Sequence, residues 1–358
     1  MPGRGADDGD HGASGGGTGP SGGARGEPGG ASREPGGTGR EPGGGSGPSG
    51  VLAGAQVDSP TEGRNPRTFD IDTLATLPLL QRINDEERLV APAVRAALPR
   101  LAEVVDEAFR RLRAGGRVHY FGSGTSGRLA VLDAAELAPT FSLPPGTVVA
   151  HIAGGNRALL EAVEDAEDDT ASGAADAAAV RAADVVIGLS ASGSAPYVRA
   201  ALERARKARA FTALVTSNPS APLGPYAEVC VCADTGPEAI TGSTRLKAGT
   251  AEKMLLNAFS TALMVRTGRT FSNLMVHMAP ANAKLRSRQV HILGQATGRP
   301  GDECVRALEA AGGDVRVALV MVLSGAGADE SRDALAQSRG VVRDALDRLA
   351  ATSPSHGE

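Results

Sequence analysis

The sequence contains little that could form a membrane span, a disulfide framework or a metal cluster. Its 358 residues include no Trp and only three cysteines. The spacing of Cys230, Cys232 and Cys304 matches neither a disulfide pattern nor a zinc site. The apolar runs are far shorter than the roughly 20 residues of a transmembrane helix, and the N-terminus lacks the apolar segment of a signal peptide. These absences favour a cytoplasmic protein that has unpaired thiols and does not bind a membrane.

Neither basic nor acidic side chains are in strong excess in the sequence. The chain has 37 Lys and Arg against 41 Asp and Glu, a formal net charge of −4. No basic stripe that would favour nucleic acid is present, although a small-molecule anion could still bind. The six histidines show no metal-ligand spacing, and His119 and His151 fall in segments predicted to be buried strands. The sequence therefore predicts neither a nucleic-acid partner nor a metal.

Glycine is unevenly distributed along the chain. Of 48 glycines, 22 lie in the first 54 residues, and the first aromatic residue is Phe69. A stretch of Gly, Pro and Ser cannot bury enough apolar surface to offset the entropy of ordering. We therefore predict disordered tails at residues 1–57 and 351–358.

Between these tails the pattern is that of a doubly wound α/β fold. Apolar residues recur at helical spacing over 66–113, and two glycines then end the pattern. Short β-rich runs follow at 117–121, 147–152, 184–189, 211–216 and 228–232, separated by helical segments. Such spacing predicts a parallel five-stranded sheet with helices on both faces, within a domain spanning 58–295. Short helical segments separated by glycines predict a small C-terminal helical bundle over 296–350.

The first predicted strand leads into a glycine- and hydroxyl-rich loop, GSGTSGR at 122–128, followed by a helix over 129–137. Glycines allow close approach of the backbone to a ligand, and the free amides at a helix start favour a phosphate. The loop lacks the Lys of a P-loop, and no acidic residue ends the second strand as a ribose acceptor would. A phosphate site and an ordinary glycine turn with capping hydroxyls both remain open at this point.

A second hydroxyl-rich loop, SASGSAP at 190–196, follows the third predicted strand. The carboxyl ends of parallel strands are the usual place for a ligand in an open α/β sheet. Because the second loop has no arginine, the two loops together predict a compact phosphomonoester held by amides and hydroxyls. The turn at 216–219 after the fourth strand is a candidate contact for a sugar hydroxyl.

Two sets of carboxylates are candidates for acid and base chemistry. Glu136 follows an apolar helical stripe and precedes Pro139, which we expect to end the helix. Apolar surroundings would raise its pKa towards that of a general acid, whereas a solvent-facing Glu would have no such role. The acidic run at 164–169 reads, by itself, as a solvated face.

At this point the motifs resemble those of the N-acetylmuramic acid 6-phosphate etherase family, which has the sugar isomerase (SIS) fold. The resemblance covers about residues 59–349 and leaves out only the tails. It rests on these segments: TEGRN at 61–65, INDE at 83–86, GSGTSGR at 122–128, DAAE at 133–136, PTF at 139–141, IAGG at 152–155, AVEDAED at 162–168, TGSTRLKAGT at 241–250 and NLMV at 273–276.

The resemblance implies a lyase that cleaves the D-lactyl ether of N-acetylmuramic acid 6-phosphate, giving N-acetylglucosamine 6-phosphate and D-lactate. This reaction belongs to the recycling of cell-wall amino sugars and uses no metal or redox cofactor. In the family the Glu of the DAxE motif, here Glu136, is the acid that protonates departing lactate. The second family glutamate maps to Glu167, which we assign to removal of the C2 proton.

The resemblance also supplies the binding residues. The implied phosphate and sugar contacts are Ser123, Thr125, Ser126, Ser190, Ser192, Ser194 and Lys247. One departure is that Ser194 and Ala195 stand where the family has Arg and Thr. The loss of a charge and a hydroxyl predicts weaker substrate binding, with the chemical step less affected.

The distance between Glu136 and the predicted phosphate loop bears on which site Glu136 serves. Ten residues on one helix place it about 15 Å from Ser126. We therefore predict a homodimer with sites near the subunit interface, in which Glu136 serves either its own site or the neighbouring one. A non-catalytic sugar-phosphate-binding regulator and an aldose-ketose isomerase share the fold and are the alternatives. The presence of both glutamates, without a preceding helix-turn-helix domain, favours the enzyme.

Overall fold

We describe a computed structural model of the chain, which covers residues 59–277 and 283–352. The tail predicted at 1–57 lies outside the described residues. So do all but two residues of the tail predicted at 351–358, and these two end the last helix. Within the described residues no helix is long and apolar enough to cross a membrane.

A parallel five-stranded sheet forms the centre of the fold, with strand order β2-β1-β3-β4-β5. The central strands β1, β3 and β4 are buried along their whole length, as expected for a parallel sheet covered on both faces. All five strands begin and end within one residue of the predicted runs. The strands are β1 (Val118–Gly122), β2 (Val148–Ile152), β3 (Val185–Leu189), β4 (Phe211–Thr216) and β5 (Val229–Cys232).

Helices cover both faces of this sheet and confirm the predicted α/β fold. The six helices of this region are α1 (Thr76–Glu87), α2 (Val90–Arg113), α3 (Gly124–Phe141), α4 (Thr170–Asp176), α5 (Pro196–Lys207) and α6 (Lys247–Arg266). Successive side chains of a strand point to opposite faces. Val185 and Ile187 of β3 thus pack in the core formed with α2, α3 and α6. Val186 packs on the other face in the core that includes α5.

The helix after the first loop differs from its prediction at both ends. Its predicted span was 129–137, but α3 starts at Gly124, so the hydroxyl-rich loop forms its first turn. Pro139 was expected to end the helix, yet the helix continues to Phe141. A proline so close to the end removes one backbone hydrogen bond, while burial of Phe141 holds the last turn against the core.

The C-terminal helices pack around a second hydrophobic core that includes Leu293, Cys304 and Leu319. A two-stranded hairpin that the sequence did not predict, β6 (Thr270–Phe271) with β7 (Leu274–Met275), precedes them. The helices are α7 (Ala283–Thr297), α8 (Gly301–Ala310), α9 (Val315–Ser324), α10 (Ala328–Gln337) and α11 (Val342–Thr352). Because α7 contributes to this core, it belongs with the bundle in packing; the domain boundary at 295/296 stays a prediction.

Candidate functional site

The two hydroxyl-rich loops start side by side at one edge of the sheet. Gly122 and Leu189, the last residues of β1 and β3, are register partners. Ser123 and Ser190 follow directly and begin the two loops. This is the carboxyl edge of the parallel strands, where ligands bind in open α/β sheets.

Close backbone approach explains the glycines of the first loop. A Cβ at Gly122 would lie 2.7 Å from the backbone nitrogen of Gly127, and a Cβ at Gly127 would lie 2.5 Å from a side-chain carbon of Ile152. Only glycine at both positions lets the start of α3 fold back onto the end of β1. The first amides of this 18-residue helix are thereby held at the edge of the sheet, and the helix dipole favours an anion there.

The second loop is held by the turn after β4. The backbone N–H of Ser217 and the Thr216 hydroxyl both donate to the carbonyl of Ala191, at 3.0 and 3.1 Å. The Asn218 amide donates to the carbonyl of Ser192 at 2.9 Å. The turn predicted as a sugar contact thus positions the second loop.

A cavity of about 290 Å³ lies between the loops. It is lined by Glu62, Ser123, Gly124, Thr125, Ser126, Glu167, Ser190, Ala191, Ser192, Thr244 and Glu252. Six of these residues bear hydroxyls, three bear carboxyls, and none is Lys, Arg or His. The structure thus brings together five of the seven predicted binding residues and one of the two predicted catalytic glutamates.

Glu167 reaches the cavity from a short 3-10 turn, Ala166–Asp168. Ala166 packs against the hydrophobic core on the α5 face and anchors this turn. Partial desolvation at the cavity wall raises the pKa of Glu167, and a hydrogen bond from Ser123 opposes part of that shift. Its side chain still reaches solvent, so it can exchange protons with water. The carboxyl thus stands at the cavity wall with a raised pKa and access to solvent, as the predicted proton acceptor requires.

Glu62, Thr244 and Glu252 line the cavity but were not among the predicted site residues. Glu62 and Thr244 fall inside motifs quoted for the family resemblance, at 61–65 and 241–250, and those motifs were the available signal. Glu252 lies two residues beyond the second motif, among the apolar residues of α6. No local pattern marked it.

Glu252 is the most enclosed of the three cavity carboxyls, with 4% of its surface exposed. The Ser126 hydroxyl donates to its Oε2 at 2.7 Å. Its Oε1 is buried and has no hydrogen-bond partner within the described residues. Burial raises the pKa of Glu252 to about 7, against the opposing effect of the Ser126 hydrogen bond.

Three predicted site residues do not line the cavity. Ser194 lies next to the cavity lining, since its Oγ is 2.8 Å from the Oγ of Ser192, which does line the cavity. Lys247 is fully buried at the start of α6, where its ammonium donates to Glu86 at 2.8 Å. Glu136 lies near the far end of α3 with its side chain exposed, not enclosed by apolar neighbours as its sequence setting suggested.

The sequence is similar to those of known SIS domains and of several etherases. A model of the SIS domain matches residues 160–262, and one of the glucokinase regulatory protein N-terminal SIS domain matches 100–206. The N-acetylmuramic acid 6-phosphate etherase of Thermobifida fusca is 56% identical over 268 residues, covering 75% of this chain and 88% of the relative. Those of Pectobacterium atrosepticum and Cutibacterium acnes are 48% and 49% identical, covering 80% of this chain and 95% of each relative. The chain therefore belongs to the N-acetylmuramic acid 6-phosphate etherase family.

Proposed function

We propose that this protein is a lyase that cleaves the D-lactyl ether of N-acetylmuramic acid 6-phosphate in the recycling of cell-wall amino sugars. The products are N-acetylglucosamine 6-phosphate and D-lactate. The observation that carries this proposal is the juxtaposition of a hydroxyl-rich helix N-terminus with the Glu167 carboxyl in one cavity. An aldose-ketose isomerase of the same fold would also use a base for the C2 proton, but it has no leaving lactate to protonate, and a regulator needs neither group.

The phosphate is held by hydrogen bonds and the helix dipole, without an ion pair to a cation of this cavity. Donors are the amides of the first turn of α3 and the hydroxyls of Ser123, Thr125, Ser126, Ser190 and Ser192. Ser194 contributes through its contact with Ser192. Lys247, at the start of α6, does not bind the phosphate directly, because its ammonium is buried and paired with Glu86.

Ether cleavage proceeds as elimination followed by hydration. In the open-chain sugar the aldehyde acidifies the C2 proton, which Glu167 removes. The electron pair of that bond forms a C2–C3 double bond as the C3–O bond breaks, and lactate departs after accepting a proton from a general acid. Water then adds across the double bond, restoring the C2 proton and placing a hydroxyl at C3.

The general acid is Glu136 of the partner subunit in a homodimer. Within one chain Glu136 is exposed and does not line the cavity. The segment from 69 to 80 also exposes three large apolar side chains, Phe69, Leu77 and Leu80, each more than half accessible. Exposed apolar side chains of this size favour association with another surface. In the proposed dimer the second copy covers these side chains and brings its own Glu136 to this cavity.

Release of D-lactate from N-acetylmuramic acid 6-phosphate tests the proposal directly. The expected result is stoichiometric formation of D-lactate and N-acetylglucosamine 6-phosphate. Unphosphorylated N-acetylmuramic acid is the matched control, and its turnover should be much slower because it cannot use the anion site. Equal turnover of both sugars, or no lactate from either, would contradict the proposal.

A further inference from the structure

A buried hydrogen bond forms part of the wall of the proposed phosphate site. Ser126, in the first turn of α3, donates to Glu252 of α6 at 2.7 Å, and both residues line the cavity. Glu252 is almost completely buried, whereas the other two cavity carboxyls, Glu62 and Glu167, are exposed. The hydroxyl assigned to the phosphate is therefore already engaged by a carboxyl.

The surroundings of Glu252 do not compensate a negative charge. Its Oε1 has no hydrogen-bond partner within the described residues. Among the described residues, the cavity lining adds two further carboxyls and no basic side chain. The buried titratable residue of α3, Asp133, is also a carboxyl and adds no positive charge. It accepts hydrogen bonds from Tyr120 and Ser260.

Within the described part of the chain, the buried side chains of the other elements packed against α6 bring no free cation to this carboxyl. The buried residues of α2 and β4 include no titratable group. The buried residue of α1 is Glu86, which is paired with Lys247 of α6. At the start of α6, Glu238 accepts from the amides of Lys247 and Ala248. A buried carboxyl without a counter-ion favours its neutral form, and burial raises the pKa of Glu252 to about 7.

The protonation of Glu252 decides where the single proton of the Ser126 hydroxyl points. A carboxylate has only acceptor oxygens, so it holds that proton and leaves the hydroxyl lone pairs facing the cavity. A protonated carboxyl can instead donate to Ser126 Oγ, and the Ser126 proton is then free for another acceptor. A phosphate oxygen needs a donor and is repelled by lone pairs.

We propose that Glu252 is a positioning residue whose protonated form donates to Ser126 and turns the Ser126 hydroxyl proton towards the substrate phosphate. The inference rests on the proposed function, because it uses the same phosphate site. Ionisation of Glu252 reverses this hydrogen bond and places a negative charge beside the anion. Both changes weaken binding, so substrate affinity falls as Glu252 loses its proton.

The pH dependence of KM in wild-type protein and in Glu252→Gln tests this mechanism. A glutamine amide donates to Ser126 at every pH, so it reproduces the protonated state permanently. Between about pH 6 and about pH 8 the protonated fraction of a group with a pKa of about 7 falls about tenfold. We expect the KM of the wild type to rise about tenfold relative to that of Glu252→Gln over this range. The substrate phosphate also titrates, but it does so equally with both proteins.

Glu62→Gln is the matched control, since it removes an exposed carboxyl from the same cavity and should retain the wild-type pH profile. Ser126→Ala supplies a second test, because without the hydroxyl the Glu252→Gln substitution should no longer alter the pH dependence. Parallel KM profiles of wild type and Glu252→Gln, or an undiminished effect in the Ser126→Ala background, would overturn the inference.

Binding of inorganic phosphate, measured by calorimetry over the same pH range, separates this inference from the proposed function. Phosphate binding requires the loop and no turnover. The expected result is that Glu252→Gln removes most of the pH dependence of Kd that is seen in the wild type. Absence of lactate release would contradict the proposed function alone, whereas equal pH dependence of phosphate binding in both proteins would overturn the role of Glu252.

Discussion

The same side chain, glutamate, occurs three times in the cavity and meets different surroundings each time. Glu252 is enclosed by α6 and α3 and holds its proton near neutrality. Glu167 is held on an exposed turn, where partial desolvation raises its pKa without sealing it from water. These different environments are consistent with the proposed roles, in which Glu252 holds a proton and Glu167 accepts one.

Substitution of Glu167 by Gln should reduce kcat for lactate release by roughly 10²–10⁴-fold, because the amide cannot remove the C2 proton. Glu164→Gln is the matched control from the same acidic run, since Glu164 is exposed and does not line the cavity. A loss of equal size in both variants would indicate a general effect of the acidic run.

The acid limb of the wild-type kcat profile provides an independent check on Glu167. A base must be ionised to act, and desolvation raises the pKa of this carboxyl. The rate should therefore fall as the pH drops through a midpoint above the ordinary Glu value of about 4.3. A midpoint at or below that value would contradict the assignment.

At the scale of elements, a polar cluster centred on the buried Glu86 joins α1 and the N-terminal segment to the start of α6. Glu86 receives hydrogen bonds from Arg67 at 2.5 and 2.8 Å, from Asn65 at 2.7 Å and from Lys247 at 2.8 Å. The Arg67 hydrogen bond is the largest of the effects that lower the pKa of Glu86 to about 2. Because α6 carries Glu252 into the cavity, this cluster positions the site from a distance.

Glu86→Gln should lower the free energy of unfolding by about 3–5 kcal/mol, because it leaves the Lys247 ammonium buried without its counter-ion. Urea denaturation at neutral pH measures the loss. Glu103→Gln, which breaks a half-exposed ion pair with Arg100, should cost less than about 1 kcal/mol. The contribution of Glu86 is present above its unfolded pKa and is lost as the pH falls from about 4.3 through about 2. Similar losses in the two variants would show that the buried pair has no special role.

The strands and loops could be predicted from sequence because their signals are local. Apolar β-rich runs and the glycine-containing loops after them can be recognised within windows of about ten residues. The predicted strand ends were right to within one residue. The start of α3 was missed because a Gly- and Ser-rich turn has low helix propensity and becomes helical only when packed on β1. The positions of Glu252 and Lys247 could not be predicted in this way. They depend on packing between segments more than 100 residues apart, which no local sequence pattern encodes.

At the scale of the whole molecule, the two glutamates assigned to the proposed reaction, Glu136 and Glu167, lie apart within a single chain. The cavity holds Glu167, whereas Glu136 lies about 15 Å along α3 from Ser126 and faces solvent. A twofold dimer has an interface in which each subunit offers the same groups to the other. In the proposed homodimer, each of two equivalent sites would combine Glu167 of one subunit with Glu136 of the other.

Mixed dimers of Glu136→Gln and Glu167→Gln should recover about half of the wild-type activity, although each variant alone is nearly inactive. In a mixed dimer one site receives both intact glutamates and the other receives neither. Co-expression of the two chains with different affinity tags, followed by sequential purification, isolates the mixed species for the lactate assay. If both glutamates acted within one chain, every site would carry one substitution. Mixed dimers of confirmed composition would then be as inactive as their parents, and the shared-site arrangement would be wrong.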